Sequence, residues 1–586
     1  MLGNRHDFAG IQRSKVSRRT LLRRAGLSFG SIAVAPILLA ACGGAAPSAA
    51  TPTTAPAAAA PTKAPAPPTA TVPPAAPTAV TVPTSTPVPA QQATSAGAVK
   101  EGGTLTVSQS VDINTLDPWR GTLNVWKVIK TNIYDQLSYQ DPVTYEFKPK
   151  LAKSFEWTDN NTSLLITLPS GVTFHNGEKL TADDVKFTLD SILDPKSGSW
   201  LRTFILPIQE VQVVDDTHVK LKTGRIQNQL IPAFTYVDIV PRSMGTDLAK
   251  KNPIGSGPYK FVEWVPNDHI TLEKNPNYWN KDKAGHLDKI VFRPVTETET
   301  RLSQLLAGDV DLVYDFSLQD APRMQANKSV VVSVVPPVDQ MFVCYVNIRK
   351  PPFNNVDARR ALGWTLDREA FIKNFLAGMG VAGNSPFTKA NWAFDPKTDS
   401  AYGYDLDKAG SLLEKAGFPK GKGMNFSFLV PSGYPEFKQL STMLQASFKT
   451  IGYQPAIEEV DIAQWASRLT QSHDFFVAVD YPPRGSADPA LTYAGGLLFP
   501  PGPGNVPGVT ADTIPGYVDA LKAGATTLDV KARTEAYAKV QELWLDYLPG
   551  PVWFHRSTVH AALPSVKGFV PQAAFQQSFT DVWLNK

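Results

Sequence analysis

From Gly102 onward the chain moves between two hydrophobic rhythms. Thr104-Leu105-Thr106-Val107 places apolar residues at every second position and predicts a strand, and residues 164–168 predict another. Elsewhere the spacing is helical. Val185, Phe187, Leu189, Ile192 and Leu193 follow Thr181-Ala182-Asp183-Asp184, in which Thr181 can cap and Asp184 can reach back to it. Thr298–Ala307 and residues 357–376 read as further helices, and residues 330–335 as a buried strand ended by Pro336-Pro337. Strands and amphipathic helices intermixed over this length argue an α/β fold.

The first 98 residues follow neither rhythm. A basic stretch (Arg13, Lys15, Arg18, Arg19, Arg23, Arg24) precedes an apolar run over 27–41, too short to span a membrane comfortably, and then Cys42. This is the layout of an export signal. Ser17-Arg18-Arg19-Thr20-Leu21-Leu22 resembles a twin-arginine export motif, and Leu39-Ala40-Ala41-Cys42 before Gly43-Gly44 resembles a bacterial lipobox, which implies a lipid on Cys42 as the mature N-terminus. In residues 45–98, Ala, Pro and Thr fill 43 of 54 positions, so this tract has too little bulky apolar surface to offset its ordering entropy. A tether that stays unfolded is expected, with a reach of at most roughly 170 Å at the polyproline rise.

Charge and cysteine usage narrow the function classes. The first 98 residues hold eight of the 57 Lys and Arg but one of the 53 Asp and Glu, which leaves 49 basic against 52 acidic residues, a net of −3, for residues 99–586. The basic balance belongs to the leader, so the folded part lacks the footprint of a nucleic-acid binder. About 490 residues exceed what one hydrophobic core usually sustains, and two lobes are expected. After residue 50 there is no apolar run of about 18 residues, which excludes a polytopic membrane protein. Cys42 and Cys344 alone cannot build a disulfide framework.

A series of motifs then identifies a resemblance. Leu151-Ala152-Lys153-Ser154-Phe155-Glu156-Trp157, Gly171-Val172-Thr173-Phe174-His175-Asn176-Gly177 and Leu180-Thr181-Ala182-Asp183-Asp184-Val185 come first. Gly255-Ser256-Gly257-Pro258-Tyr259, Asn275-Pro276-Asn277-Tyr278-Trp279, Leu305-Leu306-Ala307-Gly308-Asp309-Val310-Asp311 and Pro351-Pro352-Phe353-Asn354-Asn355-Val356-Asp357-Ala358-Arg359-Arg360 follow. Together they resemble the extracellular solute-binding proteins of peptide and nickel ABC importers, over residues 101–586. Glycine and proline in these motifs suit tight connections before strands and capped helices, so they mark architecture rather than a reaction centre.

The search for enzyme chemistry fails on context. Gly26-Leu27-Ser28-Phe29-Gly30 fits a nucleophile elbow but lies in the export signal. Gly378-Met379-Gly380-Val381-Ala382-Gly383 fits a dinucleotide fingerprint but follows a helical stretch, not a strand. His555 and His560 are five apart in a strand-like stretch, on opposite faces, which argues against a shared metal. No catalytic residue, metal or cofactor is assigned.

The resemblance implies a two-lobed, type II periplasmic-binding-protein-like fold. Its parts would be an export signal at 1–42, a tether at 43–98, a first lobe with an extra subdomain at 99–340, a second lobe at 341–555 and a return to the first lobe at 556–586. Two extended crossings, near 338–346 and 551–560, would form a hinge. The family holds a peptide's α-amino group with an acidic residue, which falls on Asp480 beside Tyr481, although Pro482 to Ser486 reads as an insertion and Asp488, before Pro489, can take a structural role instead. Trp465, Trp119 and Trp126 match aromatics that line the cleft. The implied protein is a lipid-anchored monomer outside the cell membrane, which captures a di- or oligopeptide and delivers it to an ABC permease. The alternatives are an oligosaccharide receptor of the same fold, a tethered secreted hydrolase and a sensory receptor.

Overall fold

The structure, a computed structural model, describes residues 98–480, 488–494, 506–510, 512–572 and 575–586, together with Thr78–Ala79. The expected export signal with Cys42, most of the expected tether, and Tyr481 lie outside the described residues. What is described is a two-lobed α/β architecture.

Eleven strands among the described residues form one mixed sheet. At one end Ser427–Pro431 lies between Ala456–Val460 and Val477–Asp480, all parallel, and the helices Pro435–Thr450 and Ile462–Thr470 make the returns. Parallel strands need such crossovers and become covered on both faces, which is why Phe428-Leu429-Val430 and Val477-Ala478-Val479 are unbroken apolar runs. Toward the other end, Thr104–Gln109 runs parallel to both Lys289–Pro294 and Leu312–Val313, and Tyr259–Val265 and His269–Lys274 finish the sheet. Between the two ends lie the long antiparallel strands Val331–Val346 and Val552–Ala562.

Pro336-Pro337 does not end its strand. The ladder slips between Val335 and Gln340, where four residues face Ser557 alone, because proline has no N–H to donate and the pairing opens into a bulge while the strand continues. The helical periodicity over 357–376 also divides, into Val356–Gly363 and Arg368–Phe375. Asp367 accepts from the Ala370 N–H at 2.9 Å and starts a new helix, so local capping overrides a continuous apolar pattern.

A separate antiparallel sheet of Ser154–Thr158, Ser163–Thr167, His218–Lys222 and Glu210–Asp215, with Thr78–Ala79 at its edge, builds the extra subdomain. The helix Ala182–Leu193 covers it, and the Asp184 carboxylate accepts from the Thr181 N–H at 2.9 Å as the capping pattern requires.

The first-lobe core gathers Trp119, Trp126, Leu164, Phe234 and Phe292. A second core holds Val343, Tyr345, Tyr517, Tyr537 and Trp544. A third is continuous across the long strands, where Phe342 stacks on Phe554 at 4.6 Å and Leu302, Phe316 and Phe428 join the same cluster. Each large side chain buried there contributes roughly 1.5–3 kcal/mol relative to exposure.

The motifs interlock. Asp135, fully buried, accepts from Ser256 Oγ at 3.0 Å, Tyr278 OH at 3.0 Å and Trp279 Nε1 at 2.9 Å. His175 Nε2 donates to the Gly257 carbonyl at 3.0 Å, and the Gly255 N–H donates to its Nδ1 at 3.3 Å. Gly255 and Gly257 are required by close approach rather than by a left-handed backbone: a Cβ at either would lie 2.0 Å or 2.6 Å from the Ile133 carbonyl oxygen. Arg359, also buried, donates to the carbonyls of Phe353, Tyr547 and Leu548.

Candidate functional site

In open sheets of parallel strands the crevice outside their carboxyl ends is where ligands bind. Here the two parallel groups end on residues that come together. Beyond Leu312–Val313 the chain turns at Asp315, whose φ of +59° is left-handed and uncommon for a residue other than glycine. Beyond Ser427–Pro431 it reaches Tyr434 and the start of the next helix, with Glu436 in its first turn. Arg556 on the returning long strand spans both: its Nη1 lies 2.6 Å from Glu436 Oε2 and its Nη2 lies 3.7 Å from Asp315 Oδ1. The guanidinium is almost wholly buried, so these charges are weakly screened.

Asp480 is the last residue of Val477–Asp480, directly opposite Val343. Val343 and Tyr345 share a strand face, so Tyr345 is the diagonal neighbour of Asp480 and long enough to reach it. The Tyr345 hydroxyl donates to Asp480 Oδ2 at 2.9 Å. Tyr434 stacks on Phe437 at 5.3 Å with an interplanar angle of 11°. Partial burial, and then the negative charge of Asp480, raise the Tyr434 phenol above its ordinary pKa. The site thus offers a half-buried anion, an aromatic face and a buried cation.

Three buried polar atoms near these strands, Ser108 Oγ, Gln109 Nε2 and Gln340 Oε1, have no hydrogen-bond partner among the described residues. Such groups cost about 1–3 kcal/mol each unless solvent or a solute satisfies them. They lie where Thr104–Gln109 ends and where Gln340 pairs with Arg556.

The residues expected from sequence have different surroundings. Asp480 is half-buried at the rim just described. Trp465 projects from Ile462–Thr470 into the second-lobe core with 8% of its surface exposed, and its Nε1 has no partner among the described residues. Trp119 and Trp126 are fully buried in the first-lobe core and donate to the carbonyls of Asp238 and Asp117, each at 3.0 Å, so neither offers surface to a ligand in this conformation. Asp488 is buried against Arg533, whose Nη2 lies 2.7 Å and 2.8 Å from its two carboxylate oxygens. Sequence reasoning missed Tyr345, Tyr434, Glu436, Asp315 and Arg556. One signal was available for Arg556: it is the only Lys, Arg, Asp or Glu in the strand Val552–Ala562.

His555 and His560 sit apart, as an odd offset on a strand requires. His555 Nε2 donates to the Ser385 carbonyl at 3.0 Å, whereas His560 Nδ1 accepts from the Asp315 N–H at 3.2 Å. Burial pushes their pKa values down to about 4 and about 3. Among the described residues no three His, Cys, Asp or Glu side chains gather as metal ligands, and no helix is long and apolar enough to cross a membrane.

Two lobes, two parallel strand groups whose ends are joined through Arg556, and a pair of long strands running between them define a bivalve binding-protein architecture. Residues 146–496 match the model of the bacterial extracellular solute-binding proteins, family 5, middle part, and the chain belongs to that family, whose members bind substrates for transport. Among curated proteins it is similar to heme-binding protein A of Haemophilus influenzae, at 25% identity over 55% of this chain and 63% of that protein. It is also similar to the glutathione-binding protein GsiB of Pectobacterium atrosepticum, at 28% identity over 61% of this chain and 69% of that one. The matched part therefore spans about two thirds of these relatives' length. Among solved structures, the periplasmic binding protein DppA of Helicobacter pylori in complex with peptide STSA superposes with a TM-score of 0.74 at 24% identity, covering 83% of this chain and 99% of that one.

Proposed function

We propose that the chain captures a small solute bearing a free amine, a di- or oligopeptide above all, by closing its lobes on it, and hands it unaltered to an ABC permease. The observation that carries this reading is the Asp480 carboxylate, oriented by Tyr345 at the carboxyl end of one of three parallel strands. A half-buried carboxylate is the natural partner of an ammonium group, and charge-assisted bonds of this kind are worth about 1.5–3 kcal/mol. The names of the relatives support a compact organic solute: glutathione for one, heme for another, a bound peptide in the structural neighbour. In this reading Trp465, whose Nε1 has no partner among the described residues, and Tyr481, which lies outside them, also contact the solute. Lipid on Cys42 holds a monomer at the outer face of the cell membrane after export by a twin-arginine route, and the chain carries out no chemistry on its cargo.

Calorimetric titration of the purified chain with tri-alanine and with its N-acetylated form tests the central point. The free amine should bind and the blocked one should lose at least tenfold in affinity; equal affinities would remove the amine from the recognition. For the anchor, Cys42→Ala should move the protein from washed membranes to the soluble fraction, and continued need for detergent would contradict it.

A further inference from the structure

Away from the long strands, the lobes touch at a second place. The short helix Pro489–Ala494 divides its side chains between two cores: Ala490 and Tyr493 pack in the second-lobe core, with Tyr493 stacked on Tyr537 at 5.9 Å, whereas Leu491 is buried in the first-lobe cluster with Phe204, Leu230 and Ala233. Beside it the helix Tyr517–Ala525 ends. The last carbonyls of a helix have no intrahelical partner and must be satisfied from outside. Two residues share that task. Arg533, from the second lobe, donates to the Gly524 carbonyl at 3.1 Å while its other nitrogen holds Asp488, the residue before Pro489–Ala494. Asn228, from the first lobe, donates its backbone N–H to the Ala525 carbonyl at 2.9 Å and its side-chain amide to the Thr527 carbonyl at 2.5 Å.

We infer that Asn228 and Leu491 form a clasp that sets how much of the protein is closed, and so tunes affinity for any solute from residues outside the solute site. The second-lobe half is pre-organised, because Arg533 and Asp488 are both nine-tenths buried and tie the helix end and the short helix together. When the lobes separate, the Asn228 bonds must pass to water and Leu491 must leave the first-lobe core. Apparent affinity falls with the fraction of chain in the competent state, so a weaker clasp weakens every ligand alike. The clasp acts whichever solute binds, a peptide or another.

Small-angle scattering of the ligand-free full chain tests it, comparing the parent with Asn228→Ala and, separately, Leu491→Ala, each checked for cooperative unfolding. The expected result is a larger radius of gyration for both variants, with the Asn228→Ala open-to-closed ratio raised about 3- to 10-fold, the effect of one lost hydrogen bond. Scattering curves that coincide with the parent for both variants overturn the clasp. Adding tri-alanine separates the two ideas: if it leaves the parent's curve unchanged and produces no heat, the peptide reading fails, while the ligand-free comparison still decides the clasp.

Discussion

Asp135 and Asp480 are both carboxylates met by a tyrosine hydroxyl, yet one is sealed in the fold and the other stands at its rim. Asp135 is fully buried and gathers Ser256, Tyr278 and Trp279 from two family motifs. Asp480 ends a strand, half-buried, and accepts from the Tyr345 hydroxyl. Two of the longer motifs converge on the first, whereas the second is reached by a single Asp-Tyr step. The longer motifs therefore record what the architecture demands of distant segments that must interlock.

Breaking the sealed side should have the largest effect. Asp135→Ala strands two buried donors, Ser256 Oγ and the Tyr278 hydroxyl, at about 1–3 kcal/mol each, beside the half-buried Trp279 N–H, so a loss of about 2 to 6 kcal/mol in unfolding free energy is expected by denaturant titration. A variant as stable as the parent would erase the distinction between the two carboxylates. Acid should act on the same buried framework. His175, His555 and His560 are held by burial at about 4, about 4 and about 3, below the ordinary 6.5. Between pH 6.5 and about 4 the unfolded chain takes up protons that the folded chain refuses, so stability should be level above that window and fall within it, by up to about 3 kcal/mol per histidine. Melting temperatures across this range check the sign, and His555→Gln should flatten the fall. At the rim the effects should appear in binding instead. Asp480→Asn should cost about 1.5–3 kcal/mol in tri-alanine affinity and Tyr345→Phe about 0.5–1.5 kcal/mol, with unfolding midpoints nearly unmoved; equal affinities in parent and Asp480→Asn would take that residue out of the site.

How much of this was legible from sequence depends on the range of the interaction. The capped helix at Ala182–Leu193, the strand at Thr104–Gln109 and the helix at Thr298–Ala307 follow from neighbours in sequence and sit where the patterns put them. The extent of the strand beginning at Val331 depends on a partner more than two hundred residues away, which carries it past two prolines that local rules treat as a stop. Gly255 and Gly257 read as turn residues, but their constraint is the Ile133 carbonyl from a distant helix. Trp119 and Trp126 illustrate the same limit: an aromatic in a matching segment can fill a core or line a cleft, and only the surroundings decide. Arg556 and Asp315 become neighbours solely through tertiary structure, so neither carries a local signal beyond its own charge.

The slip between Val335 and Gln340 also has a mechanical consequence. The two ribbons that join the halves are unladdered over four residues there, with a second, one-residue slip between Phe342 and Val343, like a leaf spring thinned along part of its length. Rotation of the halves can be absorbed there without sacrificing interstrand bonds, so flexing itself should be nearly free. The resistance to opening, and hence the time a cargo stays aboard, would then be governed by whatever fastens the far rim.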